Sequence, residues 1–181
     1  MSMIRGLLLW FYRLSYFEVI LLVTLASLCF VRLRMRWRTY RFWKMTVWAC
    51  CVVWICVVVG VTLGGRSADA VCQTAMLRPF HSYVAVWRGE TSEILRSNLM
   101  NVVLFYPLGL LLDAGLPERW VFGLRLLLIG LLGMAISTGI EYCQYFFCLG
   151  AAEIDDVIHN SLGAVLGILP GCLYDYCEKH Q

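Results

Sequence analysis

Met45–Leu63 reads MTVWACCVVWICVVVGVTL, nineteen residues without one charge. About 20 predominantly apolar residues cross a bilayer core as a helix. A transmembrane barrel strand alternates apolar and polar positions, and this stretch does not. Lipid offers no water to an unpaired backbone group, so a helix is the conformation the stretch requires.

Working outward, four more stretches have the same character. They are Ser15–Val31, Asn98–Leu112 (short, and holding Pro107), Trp120–Phe147 and Asp156–Tyr174. The expected fold is all-α: a polytopic integral membrane helical bundle of about five transmembrane helices. Composition agrees, with 181 residues, 61% hydrophobic and only 15% charged, and a mean hydropathy of +0.74. The charges come in clumps between apolar runs, and the length suits one bundle. The expected organisation is two N-terminal spans over 1–63, an outer loop over 64–97, a core over 98–174 and a tail over 175–181. Arg5 followed by GLLLWFY has no A-x-A cleavage site after it, so the N-terminus reads as an uncleaved first span, with Gly6–Leu14 along the interface.

The loop 32–44, RLRMRWRTYRFWK, carries Arg32, Arg34, Arg36, Arg38, Arg41 and Lys44 and no acid. The positive-inside rule makes it cytoplasmic, and Trp37, Tyr40, Phe42 and Trp43 suit the headgroup layer. The net charge of +3 is concentrated there, so a nucleic-acid partner is not expected. Alternating from that loop, 64–97 faces outside, Asp113–Arg119 turns in the cytoplasm, and Cys148–Asp155 turns outside. Of nine cysteines, seven lie in or at the ends of apolar runs and read as small packing residues. Cys72 and Cys148 lie outside the spans and could pair.

Polar residues collect at one end. Asn98 and Asn101 open the third span, Glu141 and Gln144 close the fourth, and Asp155, Asp156 and Asn160 open the fifth. Consecutive helices of a bundle are antiparallel, so all three groups reach one membrane depth on one side. Asn98 and Asn101 are spaced i,i+3, as are Glu141 and Gln144; Asp156 and Asn160 are i,i+4. Each pair shares a helix face. Asp156, Asn160, Gly163 and Gly167 form one stripe, and its two glycines allow a second helix to approach closely. His159 falls off that stripe. Ionisable groups at membrane depth are costly and mark functional sites by default. Plainer roles remain open for each: a helix cap for Asp155 or Asp156, interhelical hydrogen bonds for Asn98 and Asn101, a headgroup position for Glu141.

Asn98-x-x-Asn101-Val-Val-Leu-Phe105-Tyr-Pro107-Leu-Gly109, then Glu141-x-x-Gln144, then Asp155-Asp156-Val-Ile-x-Asn160-x-x-Gly163-Ala-x-x-Gly167, resemble the VanZ-like family of bacterial membrane proteins. Leu77-Arg-Pro-Phe80 is similar to the family's outer-loop segment. The resemblance implies a small integral membrane protein of a Gram-positive type, without an established catalytic activity. Its founding member is associated with low-level resistance to teicoplanin, a glycopeptide with a lipid tail. Members often carry an arginine near the position of Gly150, which this chain lacks.

Three readings stand side by side. One is a protein without catalysis, whose carboxylates and amides engage a lipid headgroup, a peptidoglycan precursor or a lipoglycopeptide at the outer leaflet. It needs no cofactor and no metal. The second is a membrane enzyme using Glu141, Asp155, Asp156 and His159 as acid, base or metal ligands, although no recognisable catalytic spacing is present. The third is a small transporter, against which the inner half of every span reads as bland. Membrane lipids are the expected partners, and the Gly163–Gly167 seam could also support a homodimer.

Overall fold

The structure, a computed structural model, describes residues 16–37, 40, 42–64, 74–89, 93–117 and 119–179. Gly6–Leu14, Arg38, Arg41 and Cys72 lie outside the described residues. The chain is helical as expected. Helix α1 spans Tyr16–Trp37 and α2 spans Trp43–Leu63. A two-residue strand β1, Ala75–Met76, leads into a short helix α3, His81–Trp87. Then come α4, Glu93–Gly115, and α5, Phe122–Phe146. Strand β2, Ala152–Glu153, precedes α6, Ile154–Leu166, and α7, Leu169–Lys179.

Among the described residues, four stretches are long and apolar enough to cross a membrane: Trp43–Leu63, Glu93–Gly115, Phe122–Phe146 and Ile154–Tyr176. Helix α1, with 22 residues, is also long enough at about 1.5 Å per residue to cover a core of about 30 Å. Its Leu21, Leu22, Leu25 and Leu28 are exposed, as suits side chains that face lipid. The first expected loop is shorter than the sequence suggests, because α1 continues helically through Arg32–Trp37. Arg and Met are good helix formers, and nothing in RLRMRW breaks the helix.

Helix α4 is the hub. It packs against α6, α2, α5, α3 and α7. Its partner α6 runs parallel to it, since α5 crosses back between them. The contact is backbone to backbone. A Cβ on Gly163 would overlap Val102 O, and one on Gly167 would overlap Tyr106 O. From the other side, a Cβ on Gly109 would overlap Ala164 O. Lipid gives helices no hydrophobic drive to associate, so close van der Waals packing over small residues holds this pair. The Gly163–Gly167 seam is therefore filled by α4 of the same chain. Phe105, Leu108, Ile129, Ala164, Ile168 and Val58 complete the buried centre.

Pro107 lies inside α4 and has no N–H for the carbonyl four residues earlier. In that loosened turn the Leu104 carbonyl accepts a hydrogen bond from Trp54 Nε1 at 3.0 Å, tying α2 to α4. The fifth span is interrupted: α6 stops at Leu166 and α7 begins at Leu169, with Pro170 in its first turn, where a missing N–H costs nothing.

Candidate functional site

The beginnings of α3, α4 and α6 and the ends of α2 and α5 share one end of the bundle. Strands β1 and β2 pair in parallel there, Ala75 with Ala152 and Met76 with Glu153. The pairing brings the segment before α3 against the turn before α6. Cys148, in that turn, is disulfide-bonded.

Asp155 is the centre of this end. It is 0% exposed. Oδ1 accepts from the Phe80 N–H, and Oδ2 accepts from the Ser82 N–H at 2.9 Å and from the Ser82 hydroxyl. Phe80 is the residue before α3 and adopts φ 61°, a left-handed conformation uncommon for a bulky side chain. The carboxylate thus satisfies N–H groups at the start of α3 that no helical carbonyl can reach. It caps a helix some seventy positions away in sequence, rather than its own. Asn98 Nδ2 donates to the same Ser82 hydroxyl at 3.0 Å, so α3, α4 and α6 meet at one serine.

A second chain of bonds runs beside it. His159, 4% exposed, places Nδ1 on the carbonyl oxygen of Asp155 and Nε2 at 2.7 Å from the Tyr83 hydroxyl. His81 lies between two carboxylates, Nδ1 at 3.1 Å from Asp155 Oδ2 and Nε2 at 3.4 Å from Glu153 Oε2. The Nδ1 contact is close without hydrogen-bond alignment. Glu141 Oε2 accepts from the Glu153 N–H at 2.9 Å. Gln144 Nε2 donates to the Thr62 carbonyl at 3.3 Å, near the end of α2. Asn160 Nδ2 donates to the Ser137 hydroxyl at 2.8 Å. Among the described residues, Asn160 Oδ1 and Asn101 Nδ2 are enclosed without a hydrogen-bond partner. Asp156 is half-buried.

Asn98, Asn101, Glu141, Gln144, Asp155, Asp156 and Asn160 thus occupy one end of the bundle. Within it the sequence stripe through Asp156 misses the centre, which is Asp155 with His159. That pair has the same i,i+4 spacing as Asp156 with Asn160, so spacing alone could not choose between them. Ser82, Tyr83 and Ser137 were not singled out by the sequence, because nothing local marks a serine or tyrosine as a partner of a distant helix. Among the described residues no group of three or more His, Cys, Asp or Glu side chains is arranged to hold a metal ion.

The opposite end is not bland. Arg34 Nη1 lies 3.1 Å from Asp113 Oδ2, and Arg125 Nη1 lies 3.0 Å from Asp113 Oδ1. Arg125 Nη2 reaches Asp175 Oδ2 at 2.7 Å, and Arg34 Nη2 lies 3.8 Å from Asp175 Oδ1. The Arg34 guanidinium also stacks 4.7 Å over the Tyr174 ring. Arg34 and Asp113 are each 2% exposed. Two cations and two anions from α1, α4, α5 and α7 balance there. Arg34 read as a loop charge, Asp113 as a turn residue and Asp175 as tail; each is in fact helical and turned inward.

A family model for VanZ/LLP1 matches residues 47–174, from α2 to α7. The chain belongs to the VanZ/LLP1 family. A curated relative, Protein VanZ of Enterococcus faecium, is 34% identical over 91 residues, which cover 48% of this chain and 48% of that protein. The chain thus spans about half the length of that relative. No solved structure matches the fold. Gly150, in the turn before β2, has φ 154°, a backbone conformation that a side chain with a Cβ rarely adopts.

Proposed function

We propose that this VanZ/LLP1 protein acts without catalysis at the outer leaflet. There it engages lipid or lipid-linked cell-wall material and limits access of a lipid-tailed glycopeptide such as teicoplanin. The observation that carries this reading is the commitment of Asp155. Both its oxygens are occupied by donors of the 80–82 segment, and Glu141 likewise holds the Glu153 N–H. A general base must face a substrate and a metal ligand a cation, whereas Asp155 is 0% exposed and turned to the protein's own donors. Carboxylates spent on backbone N–H groups instead build a rigid surface.

The outward orientation has two supports. Arg32, Arg36 and Lys44 are exposed at the other end, as expected of a cytoplasmic side. The disulfide at Cys148 suits an oxidising compartment.

The test is teicoplanin and vancomycin susceptibility of a sensitive Gram-positive host. It compares vector, wild type, Asp155→Asn, Glu141→Gln and Asn101→Ala at matched membrane expression. Selective protection against teicoplanin by wild type, weakened in Asp155→Asn, is the expected result. Wild type indistinguishable from vector would sink the resistance reading.

A further inference from the structure

The clamp on α3 accounts for one side of that helix. Ser82 is buried against Asp155, and His81 turns to Glu153 and Asp155. The other side is apolar and open. Tyr83, Val84 and Trp87 share a face of α3, and Phe80, just before the helix, joins them through its ring, 6.2 Å from that of Tyr83. All four are exposed, Trp87 at 91%. In water such a stripe would be an unexplained apolar patch.

Depth says what covers it. Asn98, which holds Ser82, is the sixth residue of α4, and His159, which holds Tyr83, is the sixth residue of α6. At about 1.5 Å per residue, both sit roughly 7.5 Å inside the ends of their helices. Helix α3 therefore lies beside the second turn of two spans rather than above them. The charge fits a bilayer surface. Between Thr74 and Gly89 the charged residues are Arg78 and Arg88, one beyond each end of the stripe, both exposed, and there is no acid.

We propose that α3 is an interfacial helix docked in the leaflet at its own end of the bundle. The stripe of Phe80, Tyr83, Val84 and Trp87 enters the upper acyl region, and Arg78 and Arg88 take the phosphates of anionic lipids. This rests on reading that end as a membrane-surface platform, and it names the lipid class and the residues that meet it. Aromatic side chains favour the headgroup boundary, and amphipathic helices lie in it with their apolar face down. A basic residue at an anionic surface contributes about 1 kcal/mol, or about five-fold in binding.

The full chain in proteoliposomes tests it. Brominated phosphatidylglycerol or brominated phosphatidylcholine serves as quencher, and the Trp87 signal is the difference between wild type and Trp87→Phe. Trp87 should be quenched more by bromines high in the acyl chain than by bromines near its end. Phosphatidylglycerol should quench it more than phosphatidylcholine at equal mole fraction. An Arg78→Gln/Arg88→Gln variant should keep the depth and lose the preference, about five-fold for each arginine. Quenching of Trp87 by aqueous iodide and not by lipid would overturn the proposal. So would shielding from both quenchers, which would mean a protein partner or a second copy. Equal quenching by both lipids would overturn the anionic part. The outcome separates from the susceptibility assay: protection with a water-exposed Trp87 rejects only this docking, and a lipid-buried Trp87 without protection rejects only the resistance reading.

Discussion

Asp155 and Asp156 are adjacent and chemically identical, yet they do different work. Asp155 is fully enclosed and accepts hydrogen bonds at both oxygens, while Asp156 is half-buried. Hydrogen bonds to a charged group are each worth about 1.5–3 kcal/mol. Asp155→Asn should therefore destabilise the protein by an amount of that order. Thermal unfolding in detergent reads the shift, and an unchanged midpoint would remove Asp155 from the centre of the site. That acids and amides gather at one end was legible in the sequence, because helix spacing and antiparallel order follow from local rules. Which aspartate faces inward was not. It depends on where the 80–82 segment returns after a loop, and its partner Ser82 is 73 positions from Asp155. His159 illustrates the same limit: its off-stripe position looked uninformative until Tyr83 arrived from α3.

At the scale of elements, glycine pattern translated well. Gly163 and Gly167 announced a close helix contact, and the contact is there. What the pattern could not say was whose helix fills it. Gly163→Ala places a Cβ onto Val102 O and must push α4 from α6. Overpacking of this kind costs about 1–3 kcal/mol. Gly139, in α5, has nothing within 4 Å of its would-be Cβ. Gly139→Ala should be neutral or stabilising by up to about 1 kcal/mol, since alanine favours helix. Paired melts of the two variants check this, and a harmless Gly163→Ala would mean that α4 and α6 are not in backbone contact. The bounds of α1 misled for a related reason. Arginines after an apolar run look like a loop, yet Arg34 extends the helix because carboxylates wait for it on α4 and α7.

For the whole molecule, the four-charge cluster at the basic end and the α3 clamp at the polar end hold the bundle at both faces of the membrane. The charge cluster is electroneutral, so its parts depend on one another. Removing one member of a buried pair costs about 3–5 kcal/mol, because a charge is left uncompensated. Asp113→Ala leaves two guanidinium groups facing Asp175 alone and should fall in that range. Arg34→Met/Asp113→Leu keeps the 2.7 Å Arg125–Asp175 pair and should be more stable than Asp113→Ala by itself. A double variant no better than the single would show that the charges do not act as a unit. The sequence could not reveal this cluster, since its members look like the ordinary punctuation of helix ends.

The cluster also orders events during synthesis. Arg34 emerges early, in the first described helix, while Asp113, Arg125 and Asp175 lie in segments the ribosome makes later. Until they arrive, Arg34 of α1 has none of the carboxylates that hold it in the folded protein. Helix α7 thus latches onto α1, and a nascent chain halted before α7 would leave Arg34 and Arg125 to share Asp113 alone.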